Sequence, residues 1–202
     1  MASFISSARW PRTLGVMEIL AIAGSLRAAS INAAFCRAAS RLAPSGVVVT
    51  VSRNLGTLPL FNPDLEHSPP LAVAEFRAAV DRADALLIAS PEYAHGISSV
   101  MKNALDWLVS HEGFIAKPVA VINTSPRAHH AFDSLLEVLR TMSATLVQEA
   151  SVAIPLLGSC TTEEAMVSTP AIAAQIRSAV SVLGIFLRLG ARQGPSFPVG
   201  PQ

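Results

Sequence analysis

Charged and aromatic residues make up only 14% and 5% of the 202-residue chain, and cysteine occurs twice. Cys36 and Cys160 lie far apart, without metal-type spacing, which argues against a zinc site and for a reducing compartment, the cytoplasm. The net charge is +1 and no block of lysine or arginine occurs, so we expect no nucleic-acid partner. Hydrophobic residues make up 51% of the chain, which is typical of one globular domain with a substantial core.

The two ends of the chain differ from the part between them. The apolar stretches of residues 1–16 are broken by Arg9, Pro11 and Arg12, so they predict neither a membrane span nor a signal peptide. We expect a disordered extension over 1–16, one domain over 17–190 and a mobile, glycine- and proline-rich tail over 191–202. No membrane partner is expected.

Apolar runs alternate with helix-spaced patterns, which is typical of an α/β domain with a parallel sheet. Strands are expected at 18–23, 47–51, 85–89, 119–122 and about 145–154. Helices are expected from Ile31 to before Pro44, at 71–82, at 101–109, around 132–142 and, after a loop with Gly158 and Pro170, to about 189. The connection from 53 to 70 has one glycine and four prolines, so it is expected to be irregular.

The stretch from Ile19 to Asn32 reads as a buried strand, a tight loop that begins at Gly24, and the start of a helix. The first turn of a helix presents unpaired N–H groups and a partial positive charge, both of which favour a bound anion. Polar side chains suited to phosphate oxygens surround this turn: Ser25, Arg27, Ser30 and Asn32. The loop therefore predicts a phosphate site.

The positions of glycine and lysine residues around Gly24 indicate which kind of phosphate group the loop can bind. A nucleoside triphosphate loop needs a second glycine followed by lysine, and neither follows Gly24. A dinucleotide fingerprint needs three glycines for close approach to a pyrophosphate, and only Gly24 is present. A single terminal phosphate monoester fits better.

Three motifs at their spacing resemble those of the NADPH-dependent FMN reductase family of flavodoxin-like proteins. They are Gly24-Ser25-Leu26-Arg27-x-x-Ser30-x-Asn32, Pro91-Glu92-Tyr93 and Lys102-Asn103-Ala104-Leu105-Asp106-Trp107. The similarity extends from about Met17 to near Leu189. It implies FMN as cofactor, NADPH or NADH as reductant, and a three-layer sandwich. The five predicted strands would then lie in the flavodoxin-like order 2-1-3-4-5.

In such a sheet, ligands bind where the strand order reverses, between the first and third strands. This rule places the loop that begins with Pro91 beside Gly24. The resemblance implies that Pro91, Glu92 and Tyr93 contact the flavin ring, with backbone amides toward N1 and O2. This chain departs from the family at Ala94, where relatives commonly have asparagine, and at Ser98-Ser99, where they have proline and glycine. Ser98 or Ser99 should be the N-cap of the next helix.

The third loop, residues 123–130, follows the fourth strand at the same edge of the sheet. Ser125 could donate to a flavin carbonyl, and Arg127 could meet the phosphates of NADPH, although an exposed loop arginine is more often only solvated. His129 and His130 are adjacent and lack an acidic residue at ligand spacing, so no metal site is expected there or at His95.

These residues favour a flavin reductase. Hydride would pass from NAD(P)H to FMN and on to a flavin, quinone, azo compound or similar small acceptor. No side chain needs to act as acid or base, so no catalytic residue is assigned. A flavodoxin-type electron carrier is the alternative, although the sequence does not indicate the acidic face that is typical of such carriers. A third possibility is a protein that senses a phosphate ligand and catalyses no reaction. By resemblance alone we expect a homodimer or homotetramer.

Overall fold

The computed structural model describes residues 15–193, apart from residues 54, 126, 128, 157 and 159. In this part, five parallel strands form one sheet: β1 (Met17–Ala23), β2 (Val47–Val51), β3 (Ala85–Ala89), β4 (Pro118–Ile122) and β5 (Thr145–Leu146). Their order is β2-β1-β3-β4-β5, which confirms the predicted order 2-1-3-4-5. The predicted extension and tail fall largely outside the described residues and stay predictions.

Within the described residues, six α-helices cover the two faces of the sheet. They are α1 (Ile31–Leu42), α2 (Leu71–Arg82), α3 (Ser99–Asp106), α4 (His129–Thr141), α5 (Glu163–Ser168) and α6 (Pro170–Gln193). Helices α1, α5 and α6 pack on one face, and α2, α3 and α4 on the other. Side chains of β1 alternate between the two cores, with Ile19 in the first and Leu20 in the second. The three-layer sandwich is confirmed.

Helix α1 shows how closely local sequence determines this fold. Ser30 has an extended backbone, and its Oγ accepts a hydrogen bond from the Ala33 amide, so it is the N-cap. Residues spaced three or four apart, such as Phe35 and Ala38, are fully buried. Cys36 is buried with them, and desolvation raises the pKa of its thiol to about 12, against a smaller lowering by Arg37. This thiol is therefore a packing group.

Three features of the second half differ from the prediction. The last strand covers Thr145–Leu146 and not 145–154, because a turn over Gln148–Ala150 bends the chain; pairing resumes only as an isolated bridge between Asn123 and Ala153. Helix α5 lies in a stretch predicted as loop. Pro170 opens α6 and does not precede it, and α6 continues to Gln193.

Helix α6 is the most apolar helix-length segment of the described chain. By length and composition alone, Pro170–Gly190 could cross a membrane, with 39% of its most apolar window buried. One stripe of α6, which includes Ile176, Val180 and Leu183, is completely buried against the sheet and α1. This stripe accounts for part of the apolar character, since a core helix needs such a face, while Ile185 and Leu189 of the same helix are exposed.

Candidate functional site

The loop after β1 contacts the loop after β3 at Gly24. The Gly24 amide donates to the Ala89 carbonyl over 2.9 Å, and the Gly24 carbonyl accepts from Ser98 Oγ over 2.6 Å. A Cβ atom on Gly24 would lie 2.4 Å from Ser90 Oγ and 2.9 Å from Ser90 Cβ. Only glycine therefore allows the two loops to approach this closely at the reversal of strand order.

Ser98 joins three elements at this point. It is 1% exposed, its Oγ accepts from the Met101 amide over 3.3 Å, and it lies 3.3 Å from Ser90 Oγ. Of the two predicted candidates for the N-cap of α3, Ser98 and Ser99, the structure selects Ser98. Its bond to Gly24, which fixes the start of α3 to the first loop, had no signal in the local sequence.

The first turn of α1 leaves donors for an anion. Ser30 accepts from the amides of Ala33 and Ala34, while the amides of residues 31 and 32 have no acceptor within the described chain. Ser25 Oγ accepts from the Arg27 amide over 3.4 Å, which folds the loop, and the Arg27 side chain is exposed. A phosphate monoester fits this turn for three reasons. The amides of residues 31 and 32 can donate to it, the Arg27 guanidinium lies on the same loop, and Gly24 has no Cβ to block its approach.

Asn32 connects this turn to the third loop. Its Oδ1 accepts from the Thr124 hydroxyl over 2.8 Å, and both residues are buried. In the same loop the Ser125 amide donates to Asn123 Oδ1 over 3.0 Å, and Arg127 is exposed. The side-chain oxygen of Asn32 is thus used within the protein, and of this side chain only the nitrogen Nδ2 is available to a ligand. Thr124 was not singled out from the sequence.

The second loop is an antiparallel hairpin of Glu92–Tyr93 and Gly96–Ile97. Pro91 is half-buried before it, and the Tyr93 side chain is 57% exposed. Glu92 Oε2 accepts from the Ala131 amide over 2.9 Å in the first turn of α4. The carboxylate therefore fixes the hairpin to α4, where the helix dipole favours a negative charge.

The structure thus brings every predicted site residue to the carboxyl edge of the sheet, on the loops after β1, β3 and β4 or, for Asn32, in the first turn of α1. These residues are Gly24, Ser25, Arg27, Ser30, Asn32, Pro91, Glu92, Tyr93, Ser125 and Arg127. Their contacts with a ligand remain predictions.

The turn of the hairpin is strained. Ala94 and His95 have φ angles of 48° and 60°, a left-handed conformation that glycine, asparagine, aspartate and histidine tolerate better than alanine does. We expect Ala94→Asn to raise the free energy of unfolding by about 0.5–1 kcal/mol, because asparagine tolerates this conformation. Urea unfolding measures the change.

A matched substitution controls for the asparagine itself. Ala74 is exposed in the interior of α2, and Ala74→Asn should lower the free energy of unfolding by about 0.5 kcal/mol. If Ala94→Asn were as destabilising as Ala74→Asn, the strain assigned to the turn would be wrong.

The third motif, residues 102–107, supports the site through contacts between α3 and the connection from 53 to 70. Asn103 Oδ1 accepts from the Phe61 amide over 2.8 Å, and Asn103 Nδ2 donates to the Pro59 carbonyl over 3.0 Å. Trp107 is completely buried and its Nε1 donates to the same carbonyl over 2.8 Å, while Phe61 packs edge-on against its ring. Asn103 therefore fixes the irregular connection from 53 to 70 to α3.

A cavity of about 640 Å³ borders the first loop on its β2 side, between α1 and β2. Ser25 and Leu26 line it together with Arg37 and Arg53. Arg37 is already paired with Glu163 over 2.9 Å. The reversal of strand order lies on the other side of β1, toward β3, and we place the ligand there because the hydrogen-bonded loops converge at that side.

The comparisons with known proteins identify the family and the fold of the chain. The family model for NADPH-dependent FMN reductases matches residues 17–157. An NAD(P)H-dependent FMN reductase of Pseudomonas aeruginosa is 38% identical over 112 residues, 54% of this chain and 60% of the relative. A quinone reductase of Pseudomonas putida is 36% identical over 121 residues, 58% of this chain and 64% of the relative.

The chain thus matches 60% and 64% of the length of these two curated relatives. Among solved structures, a flavoenzyme NAD(P)H:(acceptor) oxidoreductase from Paracoccus denitrificans superimposes with a TM-score of 0.68 at 23% identity, over 84% of this chain and 98% of the other. At that identity the likeness concerns the fold. With the family model covering most of the described domain, the chain belongs to the NADPH-dependent FMN reductase family.

Proposed function

We propose that this chain is an NAD(P)H-dependent reductase that binds FMN at the carboxyl edge of the sheet and reduces a quinone or similar small acceptor. Family membership and the names of its relatives, an FMN reductase and a quinone reductase, support this function. FMN would supply the redox chemistry by accepting hydride from the nicotinamide. The observation on which the proposal depends is the direct joining of the first and second loops at Gly24.

The chain's own residues would bind and orient the cofactor. The free amides that open α1 and the exposed Arg27 would hold the phosphate. The hairpin, fixed to α4 by Glu92, would present its backbone and the exposed Tyr93 ring to the flavin. Ser125 and Arg127 would contact the flavin carbonyl and the phosphates of NADPH.

Two measurements test the function. Purified protein with added FMN should show a shifted flavin absorbance spectrum, and anaerobic NADPH or NADH should bleach it. Steady oxidation of NADPH with 1,4-benzoquinone as acceptor would identify an enzyme. A flavin that stays oxidised with either nucleotide, but is reduced by a partner reductase, would instead identify an electron carrier.

Arg27→Ala tests the phosphate assignment. We expect the free energy of FMN binding to weaken by about 1.5–3 kcal/mol, the usual loss when a charged hydrogen bond is removed. Quenching of FMN fluorescence measures the dissociation constant. Arg82→Ala is the control, because Arg82 ends α2 just before β3 begins, at the opposite edge of the sheet. Equal affinities for Arg27→Ala and the parent protein would remove Arg27 from the site.

The homo-oligomer and the cytoplasmic location expected from the sequence remain predictions. Sedimentation of the FMN-bound protein would determine the number of subunits.

A further inference from the structure

The cavity of about 640 Å³ between α1 and β2 takes no part in the FMN site proposed above. Its volume lies within the range of pockets that hold small organic ligands, about 300–1,000 Å³. The cavity borders both the first loop and the carboxyl end of β2. We call this space the β2 cavity, and its walls include Ser25, Leu26, Arg37, Val51, Arg53 and Leu55.

The β2 cavity has positively charged walls. Its described lining residues include two arginines and no aspartate or glutamate. Arg37 is paired with Glu163 over 2.9 Å, which neutralises part of its charge. Arg53 is exposed and has no ion-pair partner among the described residues. A guanidinium group without a carboxylate partner is suited to phosphate oxygens, which it binds through paired N–H donors. The charge therefore favours a phosphate-bearing ligand.

Apolar side chains form another part of the cavity wall. Leu55 is buried at 6% exposure, whereas Leu26 on the first loop is 62% exposed. A Cβ atom on Gly56 would lie 2.9 Å from Leu26 Cδ2, so the Leu26 side chain contacts the connection that follows β2. A nucleoside phosphate needs such a combination, because its base packs on apolar side chains while a cation binds its phosphate.

The position of the β2 cavity relates it to the proposed flavin site. Strands β3, β1 and β2 are neighbours in that order, and adjacent strands of a sheet lie about 4.8 Å apart. The proposed function places the flavin ring at the loop after β3 and its phosphate at the loop after β1. The β2 cavity comes next in the same direction, and Ser25 belongs to both the phosphate loop and the cavity wall. A ligand that continues beyond the phosphate, away from the ring, therefore enters the β2 cavity.

We propose that the β2 cavity binds the adenosine monophosphate half of FAD, so that the protein binds FAD more tightly than FMN. This inference rests on the proposed function, because FAD extends from the same flavin site. Arg53 binds the second phosphate, and Leu26 and Leu55 contact the adenine. The glycines of a dinucleotide fingerprint allow the backbone to approach a pyrophosphate. They are not needed here, since a side chain reaches the second phosphate.

The test compares FMN with FAD, which carry nearly the same charge at about pH 8 and differ by the adenosine monophosphate half. Each is titrated by calorimetry into flavin-free protein. We expect FAD to bind at least about tenfold more tightly, because it adds a charged hydrogen bond to Arg53 and the packing of the adenine. Equal affinities, or tighter binding of FMN, would overturn the proposal.

Substitutions of Arg53 locate the gain in affinity. In Arg53→Gln, FAD should bind less than about twofold more tightly than FMN, and the affinity for FMN should equal that of the parent protein. Arg53→Lys keeps the charge and should retain part of the gain. Arg82→Gln changes an exposed arginine at the opposite edge of the sheet and should behave as the parent protein does. Far-UV circular dichroism checks folding, and an unchanged gain in Arg53→Gln would contradict the proposal.

The adenosine half of NADPH also carries phosphate, so a further titration distinguishes the two occupants. Adenosine 2′,5′-bisphosphate is titrated into FAD-loaded protein, in the parent protein and in Arg53→Gln. With the cavity filled by FAD, we expect no difference between the two proteins. Binding to the FAD-loaded parent that Arg53→Gln weakens would assign the β2 cavity to NADPH and overturn the proposal.

The measurements also separate this inference from the proposed function. Protein that binds FMN and oxidises NADPH, but gains no affinity from FAD, would refute only the FAD site in the β2 cavity. Protein that binds FAD through Arg53, yet leaves the flavin oxidised with both NADPH and NADH, would refute only the reductase.

Discussion

Gly24→Ala is expected to remove FMN binding almost entirely while leaving a folded protein. The added Cβ would lie 2.4 Å from Ser90 Oγ, 2.9 Å from Ser90 Cβ and 3.1 Å from Met101 Cβ. Overpacking of this kind costs about 1–3 kcal/mol of folding free energy. It also moves the loop whose amides would hold the phosphate. Loss of two such contacts corresponds to at least about 100-fold in affinity.

Two further variants, a control and a rescue, test whether the clash at residue 24 causes these losses. Gly96→Ala adds the same methyl group in the hairpin, where the nearest atom, the Tyr93 carbonyl oxygen, is 3.6 Å away, so little change in stability is expected. Ser90→Gly removes the two closest atoms in the clash. Gly24→Ala/Ser90→Gly should therefore recover part of the stability and of the FMN affinity, measured by urea unfolding and fluorescence quenching. A double variant no better than Gly24→Ala would show that the clash is not the cause.

The positions of the strands could be predicted because each strand is a short apolar run between clear breaks, whereas their order was implied by the resemblance to flavodoxin-like proteins. Pro44 and Gly46 separate α1 from β2, and the prolines between 53 and 70 disfavour an α-helix there, where the structure has only the short 3₁₀ helices Leu55–Thr57 and Pro63–Leu65 among the described residues. The N-cap of α3 could be narrowed locally to Ser98 or Ser99, whereas Ser30 was expected to face a phosphate and its Oγ instead caps α1. These features depend on neighbours within a few residues.

The errors fall where distant contacts decide the structure. Helix α5 has only six residues, too few to be stable alone, and Glu163 in its first turn pairs with Arg37 and Arg41 of α1. The last strand ends early because Ser151 Oγ accepts from the Val121 amide and donates to the Val147 carbonyl, which bends the chain. Neither set of contacts has a sequence signal.

In the candidate site, too, some features could be predicted from local sequence and others depend on distant contacts. The residues of the first and second loops could be chosen from motif and topology. The contacts that hold the loops together join residues far apart in sequence, Gly24 with Ser98 and Asn32 with Thr124. A motif indicates which side chains are present on a loop, but the partner that uses them is determined only when the sheet places the loops side by side.

Ser98→Ala is expected to have the second-largest effect, because one hydroxyl group makes two buried bonds. Its loss removes the N-cap of α3, worth about 1 kcal/mol, and leaves the buried Gly24 carbonyl without its donor, worth about 1–2 kcal/mol more. The midpoint and slope of urea unfolding should show a loss of about 2–3 kcal/mol in total.

Ser99→Ala provides the matched control for this change. Ser99 is exposed at the first position of α3, where alanine is an equally good residue, so the free energy of unfolding should change by less than about 0.5 kcal/mol. FMN affinity should separate the two variants as well. Ser98→Ala frees the first loop from α3 and should weaken FMN binding about tenfold, whereas Ser99→Ala should not change it. If Ser98→Ala lost stability but kept the parent affinity for FMN, the bond to Gly24 would serve the fold alone, and the phosphate would be held without help from the second loop.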